Sequence, residues 1–250
     1  MMSYPQEAKD LFLDCFDSDE NEAEIILSFA HAFGEISLSY LENEPANMIC
    51  RTEIGCGGFT ADYIFACCTE PKFRNKGIFS RRLIDTVGDK TAFLIPERKE
   101  LFSFYQKLGF EPIIHLEAEF FGIGCAKDVN DVSCLYDKYA ESEAFPRKSK
   151  PLFEATLKAF LAYGGRIKEK DGVFMLVRDN VVTEFFGKSK SLAIDAVENC
   201  LDGCFTVLMP ASFEEQLKSK GVKYEKKSIA MAKNIDPSQM PQIYLNNLFN

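Results

Sequence analysis

The chain has 250 residues, 46% of them hydrophobic, with 23 phenylalanines and no tryptophan, which is ample for a packed core and excludes a disordered protein. A formal net charge of -9, with no basic run to offset it, sets most of the surface against nucleic acid. No apolar stretch approaches the roughly 20 residues that cross a bilayer, and residues 1–10 lack the basic start and apolar run of a signal peptide. The expectation is a soluble, cytoplasmic protein with no membrane partner. Nine cysteines without a C-x-x-C pair, and only His31 and His115 besides, read as small packing thiols in a reducing compartment, with no metal site.

Residues 4–16 and 22–33 carry apolar side chains at helical spacing, with Asp17 or Ser18 as candidate caps and Gly34 as a stop. Residues 35–41, 47–53 and 63–69 read as strands, the last two separated by a glycine-rich turn over 55–58. A polar turn to Gly77 then leads into a helix with Phe79, Leu83 and Val87 on one face. A short strand over 92–95 ends at Pro96, and a helix bearing Leu101, Phe102, Tyr105 and Leu108 closes at Gly109 in the manner of a left-handed cap.

The later chain echoes this ending. Val207-Leu208-Met209-Pro210, a helix, Gly221-Val222 and a strand to Ala232 repeat the order of Phe93-Leu94-Ile95-Pro96, a helix, Gly109-Phe110 and a strand to Phe121. Two halves are expected, residues 1–130 and 131–250, with the boundary in the polar stretch between Gly124 and Pro151.

The chemistry is concentrated in residues 63–80, a buried strand running through a tight turn into a helix. The first N–H groups of such a helix have no internal partners and carry a partial positive charge, so they form an anion site. Gly77 permits close backbone approach, and Arg74 and Lys76 can add charge-assisted contacts. The pattern suits a diphosphate-bearing cofactor, with a plain strand-to-helix turn as the competing reading.

Arg74-x-x-Gly77 after Thr69-Glu70-Pro71, followed by the stretch from Phe93 to Phe110, resembles the Gcn5-related N-acetyltransferase (GNAT) family, whose cofactor motif is R/Q-x-x-G-x-G/A opening a helix. The resemblance implies an α/β (α+β) fold of two tandem GNAT-like domains, each a mixed, mostly antiparallel sheet flanked by helices. It implies that the backbone of Cys67, Cys68 and Thr69 pairs with the pantetheine arm of acetyl-coenzyme A. The N–H groups from Arg74 through Asn75, Lys76, Gly77, Ile78 and Phe79 to Ser80 would hold its pyrophosphate. Phe79 stands where the family has a second small residue, which backbone binding tolerates if the ring turns into the core.

Phe104-Tyr105-Gln106-Lys107-Leu108-Gly109-Phe110 is similar to the family's Tyr-x-x-x-Gly-Phe helix end, which implies that Tyr105 is the catalytic acid toward the leaving thiolate. By periodicity alone Tyr105 is a packing residue. Glu35, Glu53, Asp62, Glu70 and Glu97 are all open as the base that neutralises the amine, and an acyl-enzyme route through Cys67 or Cys68 lacks an activating partner.

The second half lacks the motif: Gly187-Lys188-Ser189-Lys190 takes the place of R-x-x-G, so that half is degenerate. This tandem form resembles acetyltransferases related to the enhanced-intracellular-survival class, without room for their third, sterol-carrier-like domain. The activity implied is acetyl transfer from acetyl-coenzyme A, without a metal, to a primary amine of a small molecule or a protein. The acidic surface suggests a polyamine, an aminoglycoside or a lysine side chain, bound between the halves. The rivals are a catalytically inactive acyl-coenzyme A-binding or sensing module and a ligand-free structural protein. A monomer and a homodimer both fit.

Overall fold

The computed structural model describes residues 4–56, 59–142, 147–187 and 190–243. Helix α1 (Gln6–Cys15) buries Ala8, Leu11 and Phe12, and α2 (Glu20–Phe33) buries Ala23, Leu27 and Ala30, each along the stripe that helical periodicity turns to a core. The α2 cap is Asp19, whose carboxylate accepts the Glu22 N–H at 2.8 Å. This corrects the expectation of Asp17 or Ser18: the helix starts at Glu20, and a cap must stand immediately before the first helical residue. Gly34 passes straight from α2 into the first strand, so tightly that a Cβ would collide with the Arg51 carbonyl.

Strands β1 (Gly34–Leu41), β2 (Glu44–Cys56) and β3 (Phe59–Thr69) form an antiparallel meander; Gly57 and Gly58 of the expected turn lie outside the described residues. There follow α3 (Ile78–Val87), β4 (Ala92–Leu94), α4 (Glu100–Lys107) and the long β5 (Glu111–Ile123). The polar stretch after it carries β6 (Lys127–Asp128) and α5 (Leu135–Ala140). The remainder is α6 (Lys150–Ala162), β7 (Arg166–Lys170), β8 (Val173–Arg178), β9 (Val181–Gly187), α7 (Lys190–Glu198), β10 (Asp202–Pro210), α8 (Glu214–Lys220) and β11 (Tyr224–Lys233). No described helix is long and apolar enough to cross a membrane.

The eleven strands form one sheet in the order β1-β2-β3-β4-β11-β5-β10-β9-β8-β7-β6. Among the described residues only β3–β4 and β9–β10 pair in parallel, so the sheet is mixed and mostly antiparallel, with helices on its faces, as expected. What the sequence did not reveal is the arrangement at the centre. The last strand, β11, fills the place between β4 and β5, and β5 in turn lies between β11 and β10. Exchanging β4 with β10 and β5 with β11 turns the central order β4-β11-β5-β10 into its own reverse.

Local geometry follows the same symmetry. Gly109 (φ 84°) and Gly221 (φ 67°) both take the left-handed conformation after a helix. Phe110 N–H then donates to the Tyr105 carbonyl at 3.1 Å, and Val222 N–H to the Leu217 carbonyl at 3.0 Å. Residues of α1 and α2 pack on one sheet face with Tyr63, Phe65 and Phe93. On the other face Leu83 and Val87 of α3 and Tyr105 of α4 pack with Ile64, Ala92 and Leu94. The core beside β4 is completed by Ala230, Met231 and Ala232 of β11, all buried.

Candidate active site

Strands β3 and β4 pair only through Asp62↔Ala92, Tyr63↔Phe93 and Ile64↔Leu94. Beyond these pairs β4 stops, with Pro96 two residues on, while β3 continues to Thr69, leaving a gap along its edge. A bulge helps to open it. The β2–β3 register slips between Met48↔Cys68 and Cys50↔Phe65, and Ala66 takes φ 45°. A bulged strand bends away from its former line.

Glu70 N–H donates to the Ala46 carbonyl (3.0 Å) and the Cys68 carbonyl accepts from Asn47 Nδ2 (2.5 Å), so residues 68 and 70 face β2. Strand alternation turns Cys67 and Thr69 toward the gap. The Thr69 carbonyl accepts from Arg74 Nε at 3.0 Å. Of the three residues expected to pair with a pantetheine arm, Cys67 is therefore the one whose backbone is best placed for it.

The gap leads to the start of α3. Arg74, Asn75, Lys76 and Gly77 are exposed, and Gly77 caps the helix with φ 69° and ψ 13°. A Cβ on Gly77 would meet nothing within 4 Å, so glycine is required there for its left-handed backbone and not for space. The first intrahelical bond is Arg81 N–H to the Gly77 carbonyl, at 3.2 Å. The N–H groups of Ile78, Phe79 and Ser80 thus begin the helix without helical acceptors. Lys76 Nζ lies 5.1 Å from the centre of the Phe73 ring and Arg81 donates to the Lys76 carbonyl at 3.3 Å, keeping cations around the turn. Open helix-start N–H groups beside cationic side chains are the arrangement that favours an anion.

Phe79 does turn inward: its ring stacks on Phe104 (5.8 Å between centroids) and meets Tyr105 edge-on (6.2 Å). Tyr105, 8% exposed, sits beside Ile64 and Leu94 where β3 and β4 part. Burial first, then nearby Cys67 and Glu97, push its pKa above the ordinary tyrosine value. Its hydroxyl has no hydrogen-bond partner among the described residues, and it stays protonated through the physiological range.

The candidate bases separate on position. Glu35 is held by Arg51 at 2.6 Å, and buried Asp62 lies between Arg51 (3.1 Å) and Lys90 (3.7 Å) at the paired end of β3, away from the gap. Glu53 is exposed on β2 and Glu70 stands where β3 ends. Glu97, just after β4, is the carboxylate close enough to act on Tyr105.

The cysteines are more varied than the sequence suggested. Cys50, Cys68 and Cys200 are buried, but Cys125, Cys134 and Cys204 are exposed, because Cys125 follows β5, Cys134 precedes α5 and Cys204 stands on the outward side of β10 opposite exposed Phe121. Burial pushes Cys67 up to about 12, which keeps it a thiol and a poor nucleophile. The Lys188-Ser189 pair of the second half lies outside the described residues.

Three residues that the sequence did not single out tie the site together. Arg82 of α3 donates to Asn47 Oδ1 (3.0 Å) and to Ser37 Oγ (2.7 Å), and Asn47 is fully buried. This clamps α3 to β1 and β2 while Asn47 holds the Cys68 carbonyl. No local pattern announces it.

No family model and no curated relative match the sequence. Solved structures do match it. A GCN5-related N-acetyltransferase from Kribbella flavida aligns with TM-score 0.61 and 14% identity, over 91% of this chain and 66% of that one. One from Anabaena variabilis aligns with TM-score 0.60 and 13% identity, over 92% and 70% of the two chains. Eis1 from Mycobacterium abscessus aligns with TM-score 0.63 and 10% identity, over 93% and 72%. The chain spans about two thirds to three quarters of those structures. Across nearly its whole length, this chain has the fold of the GCN5-related N-acetyltransferases.

Proposed function

We propose that the chain transfers the acetyl group of acetyl-coenzyme A to a primary amine by direct attack. The observation that carries this reading is the gap between β3 and β4, which runs from Tyr105 to the open helix start at Gly77. A pantetheine arm lying along the β3 edge would extend the sheet at Cys67, and its diphosphate would meet the N–H groups of Ile78, Phe79 and Ser80 beside Arg74 and Lys76. Acetyl-coenzyme A supplies the reactive thioester. As the amine nitrogen bonds to the acetyl carbon, the carbon–sulfur bond breaks and the nitrogen releases a proton to solvent, from which Tyr105 regains the proton it gives up. Tyr105 meets the leaving sulfur as a hydrogen-bond donor that helps to protonate it.

Replacing Tyr105→Phe removes that donor and keeps the ring packed against Phe79, Phe104 and Phe110. Turnover should fall about a hundredfold or more with acetyl-coenzyme A affinity unchanged. Undiminished turnover would remove Tyr105 from the mechanism. One observation favours a second reading, an acyl-coenzyme A-binding module without turnover: of the candidate bases, Glu35 and Asp62 are bound in ion pairs with Arg51. Binding of acetyl-coenzyme A without acetylation of any amine would support it.

A further inference from the structure

A cleft of about 670 Å³ lies between α2 and α6, over the sheet face opposite Tyr105. It reaches Ile95, the residue that follows β4 where pairing with β3 has ended. Phe93 and Ile95 pack with the α1–α2 core while Leu94 packs with Tyr105, so the gap separates the cleft on one face from the tyrosine on the other. An acceptor entering through the cleft would meet the thioester from the side opposite the proton donor.

The lining is chiefly apolar, with Ile26, Ile95, Phe160, Leu208 and Ile229 among its walls. Asp19, the cap of α2, and Glu22 also line it and are exposed to solvent, whereas its buried carboxylate, Glu184, is already neutralised by Lys148 at 3.0 Å, both side chains being largely buried (8% and 13% exposed). The interior of the cleft disfavours a polycation, because an ammonium drawn past the exposed Asp19 and Glu22 would be desolvated against hydrocarbon where Glu184 is already paired. For a single reacting amine the same desolvation favours the neutral form, which is the nucleophile. The apolar walls thereby reduce the need for a dedicated base.

We infer that this cleft is the acceptor site and that it takes a primary amine carried on an apolar body, such as an arylalkyl or alkyl amine, in place of the polyamine or aminoglycoside suggested by the net charge. The inference rests on acetyl transfer at the β3–β4 gap.

The test follows acetylation of 2-phenylethylamine, n-hexylamine and spermidine by mass spectrometry, with acetyl-coenzyme A affinity measured alongside. The kcat/KM of the two apolar amines should exceed that of spermidine by about tenfold or more. Ala159→Trp, and the milder Ala159→Leu, place bulk in the cleft from the side of α6. Each should raise KM for 2-phenylethylamine, about tenfold for Trp, with acetyl-coenzyme A affinity unchanged. Turnover that prefers spermidine, or that neither variant alters, overturns the assignment and leaves acetyl transfer standing. Acetyl-coenzyme A binding with no amine acetylated overturns the transfer reading and this inference with it.

Discussion

Ala66 carries the site's backbone strain. A residue with a Cβ and φ 45° inside a strand is unfavourable by about 1–2 kcal/mol, and here it sits in the bulge that directs β3 away from β4. Glycine normally weakens a strand, but Ala66→Gly should raise urea-unfolding stability by about 1 kcal/mol, because the left-handed conformation costs glycine little. A loss of stability would show that Ala66 is unstrained. This feature was invisible in the sequence, where Ala66 reads as one more apolar strand residue. Gly77 and Gly109 were legible because glycine marks left-handed turns directly. The Arg82–Asn47–Ser37 clamp was not, because its partners stand 35 and 45 residues apart.

At the scale of elements, the run from β3 through its turn into α3 was readable because apolar periodicity changes from strand to helix across one glycine. The gap itself was not, since it depends on where β4 stops pairing. The central strand β5 carries a testable cost. His115, 1% exposed, is buried within it, and burial lowers its pKa from 6.5 to about 4. Between those values the unfolded chain binds a proton that the native chain refuses. Stability should therefore fall as the pH drops from 6.5 toward 4, by up to about 3 kcal/mol. His115→Gln should flatten the urea midpoint across that window; an unchanged slope would assign the acid sensitivity to other groups.

For the whole molecule, the repeated order of strand, helix and Gly-x strand was visible in sequence, and the caps at Gly109 and Gly221 match it. The placing of β11 beside β4 was not visible, because antiparallel pairing across more than a hundred residues leaves no local trace. The consequence is mutual dependence. Ala230, Met231 and Ala232 complete the core beside β4, so residues 1–130 alone would expose apolar surface and the unpaired edges of β4 and β5. That fragment should aggregate or self-associate, as read by light scattering, while the full chain does not. A folded, monomeric fragment would show that β11 is dispensable.

Calorimetric titration of acetyl-coenzyme A into the purified chain, freed of any carried-over ligand, tests the central claim most directly when run beside Gly77→Glu. That substitution forces a side chain into φ 69° and adds a negative charge at the start of α3, where the phosphates would lie. Saturable binding to the native chain, lost in the variant while its fold is retained, is the predicted result. No binding to the native chain, or equal binding by both, would contradict the assignment of the Gly77 turn as the cofactor site.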